Sequence, residues 1–207
     1  MDPSRVAGRV KLVLATANPD KIIEIRHALA GLSLEILTRD DFPGIPDVVE
    51  DGETLEANAL KKGRALTTAT GIMSLADDTG LEVDALDGAP GVYSSRFAGP
   101  GATYADNVRL LLERMRGVPR ERRTARFRCV IALVEPSGIE ALVDGICEGE
   151  IAEEPQGEEG FGYDPVFYVP RLRKTFAELS LAEKDRISHR GVALARMARL
   201  LAERFLL

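Results

Sequence analysis

KLVLATANPDK, residues 11–21, carries the change of backbone conformation that decides the fold class. The run KLVLAT, residues 11–16, reads as a buried strand. Asn18-Pro19 then supplies an N-cap residue followed by proline at the first helical position. Ile22, Ile25 and Leu29 recur at helical spacing, and Gly31 closes the helix. A strand that hands straight over to a helix is the opening of an α/β chain.

The remaining segments continue the alternation. Residues 34–37 read as a second strand, 41–52 as a loop with Pro43, Gly44 and Pro46, and 54–70 as a helix. Residues 72–76 read as a strand ending in Asp77-Asp78-Thr79-Gly80. The stretch 87–101 is dense in glycine and proline and is expected to form a long surface loop or lid. Thr103 caps a helix with Ala105, Val108, Leu112 and Met115 on one face. Ala125, Phe127, Cys129, Ile131 and Leu133 alternate with Arg126, Arg128 and others, as in a half-buried strand. Residues 142–152 are its partner across a turn at Pro136-Ser137-Gly138. A short strand, 166–169, follows the glycine-rich segment 157–164. Ser188 caps a final helix that buries Leu194, Met197, Leu201 and Phe205. The class is α/β, and the long central hairpin implies a mixed sheet.

Composition excludes several functions. The 207 residues carry a formal net charge of −6, with 45% hydrophobic and 29% charged residues, the balance of a folded protein of one domain or two small lobes. An acidic chain is no general nucleic-acid binder. No apolar run approaches the ~20 residues that span a bilayer, and the first ten residues lack the apolar stretch of a secretory signal. Cys129 and Cys147, each in a strand-like run, are expected to be buried, reduced thiols of a cytoplasmic protein. With two cysteines and two histidines, His27 and His189, a structural zinc site is excluded, so any metal must be held by carboxylates, which points to Mg²⁺ or Mn²⁺.

Five stretches carry residue types suited to chemistry. Thr16-Ala17-Asn18-Pro19-Asp20-Lys21 opens a helix, where N–H groups attract phosphate and a hydroxyl, an amide and a cation stand ready; a plain helix cap would look the same. Asp77-Asp78-Thr79-Gly80 offers carboxylates for a divalent ion or a water, and equally good turn chemistry. Neighbouring strand residues face opposite ways, so only one aspartate is expected to reach a given site. Glu50-Asp51-Gly52 precedes the helix bearing Asn58, Lys61 and Lys62; its carboxylates suit either a metal or the helix dipole. Lys62 shares a face with Leu55, Ala59 and Leu66. Gly160-Phe161-Gly162-Tyr163-Asp164 lets backbone approach a ligand closely and offers an aromatic platform. Lys184, Ser188, His189 and Arg190 gather near a helix start, partly within a capping box from Ser180 to Glu183.

Taken in order, ATANPDK (15–21), EDGETLEANALKK (50–62), ADDTGLEVDALDGAPGVYSSRFAG (76–99), RTARFRC (123–129), GFGYDP (160–165) and EKDRISHR (183–190) resemble the inosine triphosphate pyrophosphatase (Ham1-like) family over nearly the whole chain. The resemblance implies a single domain over residues 1–207: two lobes around a long mixed β-sheet with flanking helices, the active site in the cleft between lobes, and a homodimer. It implies Mg²⁺-dependent cleavage of ITP, dITP and XTP to the monophosphate and pyrophosphate. It makes Asp78 the catalytic carboxylate and a metal ligand, with Glu50 the second ligand and Asp51 and Glu53 close by. Lys62 joins the catalytic pair. Thr16, Ala17, Asn18, Pro19, Asp20, Lys21 and Thr79 fall to the substrate, with Lys21 and Lys62 on the triphosphate. Phe161, Gly162, Tyr163, Asp164, Lys184, His189 and Arg190 fall to the base and adjoining groups.

Overall fold

Local signals in the N-terminal third are realised to within two residues: the strand expected over 11–16 lies at Arg9–Leu14, and the first helix ends at Leu29, just before Gly31. In the computed structural model, which describes residues 5–6 and 9–205, β1 (Arg5–Val6) and β2 (Arg9–Leu14) precede α1 (Pro19–Leu29), and β3 (Leu34–Leu37) follows. The Asn18 side chain accepts from the N–H groups of Asp20 and Lys21, and Pro19 has no N–H, so the first three helical positions leave no orphan donor. Helix α2 (Leu55–Thr70) starts at a Thr54 cap and stops at Gly71, whose φ of 67° lies in the left-handed region that glycine adopts without penalty.

Strand β4 (Ser74–Val83) does not end in Asp77-Asp78-Thr79-Gly80 as expected: it runs straight through both aspartates and four residues beyond Thr79. The cause is pairing with β5 (Pro90–Gly91). A Cβ on Gly80 would stand 2.7 Å from the Gly91 carbonyl oxygen, so the missing side chain permits the close approach. The 87–101 stretch is likewise more than a surface loop. Ser94 is buried; its hydroxyl accepts from the Leu81 N–H and donates to the Gly91 carbonyl. Asn107 of α3 (Tyr104–Arg114) accepts from the Ala98 N–H and donates to the Ser95 carbonyl.

The chain continues through β6 (Thr124–Val134), β7 (Glu140–Ile151), β8 (Phe167–Val169), β9 (Lys174–Thr175), α4 (Leu181–Asp185) and α5 (His189–Phe205). Burial in β6 alternates only up to Arg128; from Cys129 every residue is buried. Among the described residues nine strands form one sheet in the order β1-β2-β4-β6-β7-β8-β9, with β3 on β2 and β5 on β4. Strand β2 pairs in parallel with β3 and β4, while β7–β8 and β8–β9 are antiparallel, so the sheet is mixed.

Two compact units share this chain. The first takes residues up to Asp78, then 129–144 and Arg190 onward; the second takes 79–128 and 145–189. Each has its own apolar core. Leu12, Leu14, Ile25, Leu75, Ile131, Leu194 and Met197 fill the first. Leu81, Leu111, Met115, Phe127, Val166, Phe167 and Phe176 fill the second. Both cysteines are buried free thiols, Cys129 in the first core and Cys147 in the second. Among the described residues no helix is long and apolar enough to cross a membrane.

Candidate active site

In the first unit, two adjacent aspartates organise two separate sets of cations. Because side chains alternate along β4, Asp77 and Asp78 find different partners. Asp77 receives Lys21 at 2.9 Å and two nitrogens of Arg190 at 3.3 Å, and Arg190 reaches Glu24 at 2.6 Å. Asp77, Glu24 and Arg190 are all buried. Burial alone would push the Asp77 carboxyl up, but Lys21, Arg190 and Lys62 outweigh it and hold the group well below the usual carboxylate range. Burial likewise works against the Arg190 charge, and Asp77 and Glu24 more than restore it.

Asp78 sits with Lys62 and Glu50. The Lys62 ammonium lies 3.2 Å from Asp78 and 3.1 Å from Glu50, so one cation bridges two carboxylates. Lys62 is buried on the face of α2 that also buries Leu55, Ala59 and Leu66. Desolvation opposes its charge, yet Asp78, Asp77 and Glu50 together raise its pKa. Burial pushes the Asp78 carboxyl upward; Lys62 pulls it back, and Glu50 pushes it up again. The second Asp78 oxygen is buried with no hydrogen-bond partner. Among the three neighbouring carboxylates, Glu50 faces this cluster, whereas Asp51 turns to Lys61 at 2.5 Å on the exposed side and Glu53 is exposed.

The turn ahead of α1 belongs to the same unit. The Thr16 hydroxyl accepts from the Asn18 N–H at 3.1 Å, Ala17 lies between them, and Pro19 and Asp20 open the helix. Lys21, on that first turn, is thereby delivered to Asp77. Thr79 follows Asp78 in β4 and is half-buried.

The second unit gathers the remaining expected residues. Asp164 accepts from the Phe161 N–H at 2.9 Å and from the Lys184 ammonium at 2.6 Å, with both charged groups buried. The same ammonium stands 4.8 Å from the centre of the Phe161 ring. Gly160 has φ of 75° and no room for a Cβ beside the Asp164 carboxylate, so that turn demands glycine. Phe161 and Gly162 border a cavity of about 1200 Å³ whose walls include Tyr104, Leu112, Arg123 and Pro165. The Tyr163 side chain does not offer itself as a platform: it is buried in the core, and its hydroxyl donates to the Ser94 carbonyl at 2.9 Å. His189 stacks on Phe127 with ring centres 4.5 Å apart.

Thus Lys21, Glu50, Lys62, Asp78 and the 16–20 turn lie in one unit, Phe161 to Asp164 with Lys184 and His189 in the other. Arg190, expected beside the base, has its guanidinium between Asp77 and Glu24. Glu24 escaped sequence reasoning; its only signal is its place one turn after Lys21 on α1. Asn58 was visible as a helix residue, but nothing in the sequence shows its tie to Gly52.

Residues 12–200 match the Ham1 family. The dITP/XTP pyrophosphatase of Desulforamulus reducens is 51% identical over 192 residues, covering 93% of this chain and 96% of that protein. The dITP/XTP pyrophosphatase of Geobacter sulfurreducens is 50% identical, covering 89% and 93%. A HAM1 protein from Coxiella burnetii superimposes with a TM-score of 0.86 at 44% identity, over 93% of this chain and 98% of that one. The nucleoside-triphosphatase (dITP/XTP pyrophosphatase) of Mycobacterium abscessus gives 0.75 at 43%, over 93% and 100%. On the extent of these matches, this chain belongs to the Ham1 family.

Proposed function

We propose that this protein is a nucleoside triphosphate pyrophosphohydrolase that cleaves the α–β phosphoanhydride of non-canonical purine nucleotides. Its substrates in this reading are ITP, dITP and XTP, its products the monophosphate and pyrophosphate. The observation that carries the reading is the meeting of Glu50, Lys62 and Asp78, in a chain half identical to proteins named dITP/XTP pyrophosphatase.

The donor set suits a hard divalent cation. Two carboxylates share one lysine, and one buried Asp78 oxygen has no protein partner. Among the described residues no group of three or more His, Cys, Asp or Glu is placed to hold a metal ion. Glu50 and Asp78 would hold Mg²⁺, or Mn²⁺ in its place, with phosphate oxygens and water completing the shell. When bound, the ion supplies charge neutralisation at the phosphates and a more acidic water.

The residues do the rest. Asp78 orients the attacking water and takes its proton. Lys21 and Lys62 stabilise the charge that gathers on the departing pyrophosphate, and the Thr16 hydroxyl and the positive end of α1 face the triphosphate. In the second unit, Lys184 and His189 would supply donors toward a 6-oxo group, with Phe161 as the flat surface beside them and Asp164 holding Lys184 in place. Adenine would present a donor to a donor, a mismatch worth about 1–3 kcal/mol for each unpaired group. The working form in this reading is a cytoplasmic homodimer, and a single-chain mass in sedimentation would remove the dimer.

The direct test is pyrophosphate release from ITP, dITP, XTP and ATP, with Mg²⁺ and with EDTA. Release from the 6-oxo nucleotides, abolished by EDTA, is expected; nucleotide binding without release would make the protein a sensor. Asp78→Asn is expected to cut kcat by at least about a hundredfold while nucleotide affinity persists.

A further inference from the structure

Asn58 is buried without any exposed surface, yet it carries four hydrogen-bonding positions on a small side chain. Its carbonyl oxygen accepts from the Gly52 N–H at 2.8 Å, and its NH₂ reaches the Gly52 carbonyl at 3.5 Å. One amide side chain thus engages both polar groups of a single loop residue, six positions earlier in the chain. Gly52 is fitted to the contact: a Cβ there would stand 2.7 Å from the Asn58 oxygen. Two residues before Gly52 lies Glu50, and one helical turn after Asn58 lies Lys62, which bonds Glu50.

We propose that Asn58 is a positioning residue of the reaction, a clamp that fixes the Glu50 loop against the start of α2. Glu50 then meets Lys62 and Asp78 without reorganisation. The proposal rests on Glu50 and Asp78 acting together as metal carboxylates. Besides the clamp, the 50–52 segment meets α2 through charge contacts, Glu50 with Lys62 and Asp51 with the exposed Lys61. Such contacts tolerate several geometries, while transfer at phosphorus does not.

The experiment uses the full chain in three variants, Asn58→Ala, Gly52→Ala and Asp78→Asn. Hydrogen exchange is read without metal or nucleotide, and kinetics across a Mg²⁺ titration. In Asn58→Ala the Gly52 amide is expected to exchange about tenfold faster while amides late in α2 keep their protection. Its kcat should fall by roughly tenfold to a hundredfold, with KM for the nucleotide much less affected and the Mg²⁺ half-saturation point raised. Gly52→Ala pushes the same contact apart from the loop side and should reproduce the kinetic pattern with an intact helix. A lowered Tm in both variants with kcat and Mg²⁺ dependence of the folded protein unchanged would overturn the proposal, since Asn58 would then serve stability alone. Asp78→Asn separates the two levels. Normal turnover there would sink the carboxylate reading itself; its loss beside normal kinetics in the other two would sink only the clamp.

Discussion

A single side chain, Arg190, shows how a residue chosen for its charge acquires a second meaning from its surroundings. Its guanidinium is buried between Glu24 and Asp77, and Asp77 in turn holds Lys21. The chain Glu24–Arg190–Asp77–Lys21 alternates in sign, which is what makes four ionised groups tolerable with so little water. Removing one anion leaves a cation without its partner. Glu24→Gln is expected to destabilise the protein by about 3 kcal/mol, the lower end for a broken buried pair because Asp77 remains. Urea unfolding of the two proteins measures it, and a change within error of zero would show that Asp77 alone suffices for Arg190. A parallel readout belongs to His189, which stacks on Phe127 in the other unit. His189→Ala is expected to narrow the preference for ITP over ATP by roughly tenfold, one hydrogen bond's worth of discrimination. Equal losses on both nucleotides would give His189 a role away from the base.

Helix α2 carries the consequence of packing against β6 in the first unit. Gly63 lies in the interior of the helix, where glycine costs about 1 kcal/mol relative to alanine. The gap it leaves is filled: a Cβ there would meet a Val134 methyl at 2.8 Å. Around it, the Thr67 hydroxyl donates to the Ser74 hydroxyl or the Val134 carbonyl, and the Ser74 hydroxyl to the Gly63 carbonyl, so strand and helix are pinned on either side. Gly63→Ala should therefore lower stability, by about 1–3 kcal/mol, instead of raising it as helix propensity alone requires. Differential scanning calorimetry decides the sign, and a higher Tm would mean that Val134 turns aside freely.

Across the whole molecule, each unit buries one thiol, and neither should react with a disulfide reagent until the chain unfolds. Burial pushes the Cys147 thiol up to about 11 from its ordinary 9.0. A thiol kept protonated only in the folded state contributes nothing below pH 9; above it the unfolded chain loses its proton first, so stability falls between pH 9 and about 11. Cys147→Ser should flatten that part of the stability–pH curve, and an unchanged slope would assign the loss to other groups. Much of the architecture was legible without coordinates, because its signals act within a few residues. Asn18 caps from two and three positions away, and Thr54 and Thr103 do the same for the second and third helices. The alternation along β6 announces a strand on its own. The ionic pattern could not be read that way. That β4 continues past Asp78, that Asp77 belongs to Lys21 and Arg190 while Asp78 belongs to Lys62, and that Glu50 and not Asp51 faces Lys62 depend on partners far apart in the chain. Composition places carboxylates and cations in the same protein, but Coulomb's law acts on distances, and only the packed sheet and helices set those.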